Sequence, residues 1–145
     1  MPTTPALRRL LHIRELEEEQ RRVALETALG HLSQLREALS TSALRRRTGS
    51  KLIRSSVQSG EMSDRIAGIE EVRVAENHAS VLSRQLAKAE AEMARLRERF
   101  LAIRVQRLQA KSLIEQSDAR AATEEARRLQ QDLDDLYRSR LERGN

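Results

Sequence analysis

Residues 72–103 read VRVAENHASVLSRQLAKAEAEMARLRERFLAI, and in steps of three and four they place Val72, Ala75, Ala79, Leu82, Leu86, Ala89, Met93, Leu96, Phe100 and Ile103 on one line. All ten are apolar. At 39% hydrophobic content, ten independent hits have a chance of about 1 in 10,000. The spacing is a heptad seam on a helix, which must be covered by a second helix. The alanines let that partner approach closely, and Phe100 is the one large filler.

Toward the N-terminus, Thr4 and Pro5 supply a capping side chain and a residue preset for a first helical turn, so a helix is expected to begin near Pro5. Leu7, Leu10, Ile13, Leu16 and Val23, then Leu25, Ala28, Leu32, Leu35 and Leu39, recur at mostly three- and four-residue steps. A phase slip is expected between Leu16 and Leu25. The stretch from Ser40 to Asp64 is the weak one, with Thr48-Gly49-Ser50 and Ser59-Gly60 as competing turn sites, and Ser63 or Asp64 is expected to cap the following helix. Beyond Ile103 the apolar phase is expected to break at Arg107 and to resume as Ala122, Ala126, Leu129, Leu133 and Leu136, with Tyr137 beside them.

Charge order chooses between the turns. With a reversal near residue 60, residue i faces about residue 120 minus i, because both helices rise equally per residue. Glu17, Glu18 and Glu19 then lie opposite Arg97, Arg99, Arg104 and Arg107, and Arg45, Arg46 and Arg47 opposite Glu70, Glu71 and Glu76. A turn near Ser50 pairs residue i with about 100 minus i and takes the same acids away from these arginines, to residues 81–83. The expected fold is therefore all-α: an elongated antiparallel two-helix coiled-coil hairpin in a single domain. Its helices run over about 5–57 and about 63–142, with a turn at about 58–62. Residues 116–142 of the longer C-terminal helix form an overhang of about 40 Å whose apolar stripe implies a partner, self-association or a bent-back helix.

Composition agrees. The 145 residues hold one Phe, one Tyr, no Trp and no Cys, with 34% charged residues and both prolines within the first five positions. This is too little aromatic mass for a compact enzyme core, and lack of cysteine removes disulfides and thiolate chemistry. No apolar run reaches the length of a membrane span. Met1 to Arg14, basic and without acids, is read as a helix start rather than as a transit peptide or membrane-surface helix. A net charge of +5, from 24 Arg and three Lys against 22 acids, is mostly interleaved, so nucleic acid is not indicated as a partner. The one local basic cluster is Arg45, Arg46, Arg47, Lys51 and Arg54.

No phosphate loop, HExxH, paired-cysteine spacing or nucleophile elbow occurs, and His12, His31 and His78 are read as surface residues although His31 and His78 could approach in a hairpin. No catalytic, cofactor or metal site is assigned. The expectation is a binding protein without enzymatic activity, a cofactor or a small-molecule substrate.

The stretch Leu7-Arg8-Arg9-Leu10-Leu11-His12-Ile13-Arg14-Glu15-Leu16-Glu17-Glu18-Glu19, followed by Arg21-Arg22-Val23-Ala24-Leu25, resembles the opening of the YscO family of type III secretion proteins, which is similar to the flagellar FliJ protein. About twenty residues carry the motif, and the rest of the resemblance is architectural. It implies a virulence-associated stalk in the bacterial cytoplasm, peripheral to the secretion apparatus. Such a stalk inserts the end bearing both termini into a hexameric export ATPase, reaches the export gate with its other end, and binds export chaperones. On this reading Leu7, Leu10, Leu11, Leu129, Leu133, Leu136 and Tyr137 form the ATPase end, and Arg45, Arg46, Arg47, Lys51 and Arg54 the gate end, of a protein expected to be monomeric. Two other readings follow from the residues alone: a self-associating structural coiled coil with no motor partner, and a basic coiled coil that binds nucleic acid through Arg45 to Arg54.

Overall fold

The computed structural model describes residues 4–144 and contains two helices, α1 over Pro5–Ser59 and α2 over Met62–Arg143, packed against each other as an antiparallel all-α hairpin. Thr4 opens α1: its Oγ1 accepts from the Leu7 N–H at 3.4 Å, and its carbonyl accepts from Leu7 and Arg8. Gly60 closes it. With φ at 77° Gly60 occupies the left-handed region, and its N–H donates to the Ser56 carbonyl at 2.8 Å, which ends the helix in an αL cap. Glu61 then precedes α2, its carbonyl accepting from Arg65. Ser63 and Asp64, read above as caps, lie inside the first turn instead. Asp64 there complements the helix dipole.

Thr48-Gly49-Ser50, the other turn candidate, is helical throughout. Gly49 has a different task. A Cβ on it would stand 2.9 Å from the Gly68 carbonyl oxygen and 2.9 Å from Val72, and one on Gly68 would stand 2.8 Å from the Gly49 carbonyl oxygen and 2.8 Å from Ile53. The two backbones touch, so only glycine fits either position. Gly49 beside Val72 and Ile53 beside Gly68 are the same offset four residues apart on each helix, and this offset sets the register.

Burial follows that register. On α2 the half-buried and buried residues from Val72 to Ile103 are the ten of the apolar seam and no others. On α1 the same period runs Leu25, Ala28, Leu32, Leu35, Leu39, Ser42, then Gly49, Ile53 and Ser56, all at least half-buried, with only exposed Arg46 in the slot between. Ser56 satisfies its hydroxyl by donating to the Ile53 carbonyl at 2.6 Å.

Three sequence expectations change. There is no phase slip in α1: upstream of Leu25 its seam continues as Arg21, Glu18, Arg14, Leu11 and Leu7, all half-buried, while Leu10, Ile13, Leu16 and Val23 are exposed. Three consecutive layers of this seam, at Arg14, Glu18 and Arg21, are therefore polar. The exposed apolar residues follow a different spacing, which imitates a slip. On α2, Arg107 does not interrupt the seam but occupies it, forming an ion pair with Glu18, the two side chains only 22% and 19% exposed. The seam then continues through Ala110, Ile114, Ser117 and Ala121, whereas Ala122, Ala126, Leu129, Leu133 and Leu136 are exposed.

The chain forms two compact units, one of residues 21–99 and one of residues up to 20 together with those from 100 onward. In the first, Arg45–Glu71 at 2.7 Å, Arg46–Glu76 at 3.3 Å and Arg36–Glu90 at 3.7 Å join the helices. In the second, Leu7 lies beside Leu113, Gln116 and Ser117, and Glu18 meets Arg107. His78 lines a groove with Gln34, Glu37 and Thr41 rather than with His31, because the register sets Glu90 opposite His31. No described helix is long and apolar enough to cross a membrane.

The glycines give a test of opposite signs. Gly68→Ala gains about 1 kcal/mol of helix propensity but forces the backbones apart, a strain of about 1–3 kcal/mol, so the thermal midpoint should fall. Gly30, with nothing within 4 Å of an added Cβ, should instead give a midpoint raised by about 1–4 °C as Gly30→Ala. Equal shifts of the two variants in a melting experiment would refute the backbone contact. Register is checked separately: with Ser42→Cys, a disulfide should form to Ala79→Cys in the same seam layer, and not to Ser83→Cys one turn further on.

Candidate functional site

Two surfaces outside the seam carry the residues singled out in the sequence. The first lies in the unit of residues 21–99, where a groove of about 790 Å³ runs between the helices. Its floor is made of small side chains, Ser42, Ala43, Ala75, Ala79, Ser80 and Ser83, with Leu39 at one end. Its α1 rim carries Arg46, Arg47, Lys51 and Arg54. These four recur at positions that an α-helix of 3.6 residues per turn brings to one side. Arg46 reaches Glu76 across the groove, and Arg47, Lys51 and Arg54 make no ion pair among the described residues.

Arg45, grouped with them in sequence, points to the opposite face. It donates through Nε to Glu71 at 2.7 Å, and that hydrogen bond with the accompanying charge attraction raises the guanidinium pKa. The same hydrogen bond holds the Glu71 carboxyl below its usual range, as Arg73 does for Glu70. Near the turn the sign reverses: a hydrogen bond with Asp64 and the neighbouring like charge raise the Glu61 carboxyl. Four of the five residues of the basic cluster thus share a surface, and the fifth is committed to holding the helices together.

The second surface lies in the other unit. Leu129, Leu133, Leu136, Tyr137 and Leu141 are 54–66% exposed, and every residue from 122 to 138 is exposed. Of the residues expected to join them, Leu7 and Leu11 are half-buried in the seam and Leu10 is 37% exposed at its edge. Leu7 and Leu11 therefore serve mainly the hairpin, and the stripe from Leu129 to Leu141 is built by α2. Leu141 escapes a heptad reading because it falls off the line of Leu129, Leu133 and Leu136. The small floor of the groove escapes it because serines do not register in an apolar count.

Chemically, the first surface can receive anionic side chains over a bed of small residues, and the second can fill a groove on another protein. No group of three or more His, Cys, Asp or Glu able to hold a metal ion occurs among the described residues. Compared with models of known protein families, with curated proteins and with solved structures, the chain matches none.

The carboxyl shifts predict pH effects of opposite sign. Glu71 contributes stability that is complete above its unfolded pKa and lost as pH falls through the lowered folded value; Glu61 contributes stability present below its unfolded pKa and lost as pH rises through the raised one. Glu71→Gln should therefore flatten the acid-side fall of the thermal midpoint. Glu61→Gln should raise the midpoint at about pH 7 and leave it unchanged near about pH 3, where the carboxyl is already protonated.

Proposed function

We propose that the protein is a cytoplasmic stalk of a type III secretion apparatus, a binding protein without catalytic activity that couples an export ATPase to an export gate and to export chaperones. One observation carries this reading. Leu129, Leu133, Leu136 and Tyr137 form an exposed apolar stripe in the same compact unit as the N-terminal segment that resembles the YscO family. An exposed leucine stripe on a helix is a docking face for another protein. On this proposal it enters the ATPase hexamer, with Leu7, Leu10 and Leu11 fixing the neighbouring helix.

The basic rim at Arg46, Arg47, Lys51 and Arg54 is the proposed contact for the gate, with Arg45 supporting the turn end through Glu71. Guanidinium groups suit such a contact because they bind carboxylates in a bidentate fashion. Burial of one leucine is worth about 1.5–3 kcal/mol, so Leu133→Asp should weaken ATPase binding by about tenfold or more while leaving helicity intact.

A pull-down from lysate of the source bacterium, followed by mass spectrometry, tests both statements. Recovery of a secretion ATPase by wild type and not by Leu133→Asp, with a gate protein recovered by both, is the expected result. Recovery of neither by wild type would remove the stalk reading.

A further inference from the structure

We infer that residues 129–137 of one copy of this chain dock into the basic groove of a second copy, head to tail. The two surfaces are complementary in shape. Leu129, Leu133 and Leu136 form a ridge of large side chains left exposed among the described residues, and the groove floor of Ala43, Ala75, Ala79, Ser80 and Ser83 is a bed of small ones. Ridges that fill grooves of this kind are how helices pack.

The groove is long enough to take the ridge. The ridge from Leu129 to Leu136 spans about 10 Å, and the groove from Leu39 to Arg54 about 22 Å. Charge selects the occupant. Asp132, Asp134 and Asp135 make no ion pair among the described residues, and Asp132 and Asp135, three apart, lie together beside the leucine ridge. Arg47, Lys51 and Arg54 form the matching rim. A nucleic-acid backbone would match the rim and leave the bed of small side chains unfilled.

Because the two patches are different surfaces of one chain, the contact is heterologous, and each bound copy still offers one free groove or one free ridge. Association is therefore open-ended, weakened by salt, and exclusive of any other partner on the same surfaces. It does not depend on the secretion reading.

Sedimentation equilibrium of the full chain tests this against two sets of variants at exposed positions, Leu133→Asp and Arg47→Glu/Lys51→Glu/Arg54→Glu, each checked for helicity by circular dichroism. Wild type should show a mass that rises with concentration past the dimer and falls toward 16.6 kDa with added salt. Each variant alone should remain at the monomer mass. An equimolar mixture of the two should approach twice that mass, because one retains its groove and the other its ridge. A wild-type mass that stays monomeric, a plateau at the dimer, or a mixture that remains monomeric would each overturn the inference; the plateau would point instead to a symmetric ridge-to-ridge contact. Loss of ATPase recovery in the pull-down leaves these masses unaffected, so the two readings fail separately.

Discussion

The contact of Gly49 with Gly68 sets the geometry on which the hairpin depends. Two backbones in van der Waals contact leave no room to slide, and the touching pairs Gly49 with Val72 and Ile53 with Gly68 fix one register. From that register follows the placement of the ion pairs in the 21–99 unit and the small-residue floor beside them. Small residues at this end do two things at once: they bring the helices close, and they leave the groove under the arginine rim unfilled.

Much of this architecture was legible because a heptad is a strong signal when its slots are apolar. The ten seam residues of α2 are the ones the structure buries or half-buries between Val72 and Ile103. The charge order was equally informative, since Arg45 and Arg46 do meet Glu71 and Glu76, and Glu18 does meet Arg107. The legibility failed where the slots are polar. Arg14, Glu18, Arg21 and Arg107 keep the period without the hydrophobicity, so an apolar count followed Leu10, Ile13 and Leu16 onto the wrong face.

The site was legible as composition and less so as geometry. Five basic residues between positions 45 and 54 look like one patch, yet a helix turns by about 100° per residue and sends Arg45 away from Arg46. Glycine was ambiguous for a related reason. Gly49 and Gly60 are both flanked by serine, but one is required by a neighbouring backbone and the other by a left-handed φ of 77°. Only the partner helix distinguishes the two uses.

The register has a consequence for how the chain assembles. Pairs next to Gly60 are close in sequence, and each further layer is separated by about seven more residues, so loop closure grows more demanding away from the turn. Folding should then proceed as a zipper that starts at the glycine contact, with the layer of Glu18 and Arg107 closing late. Amide protection should decline along the same gradient, leaving the part of α2 beyond Ala121 to exchange fastest within it.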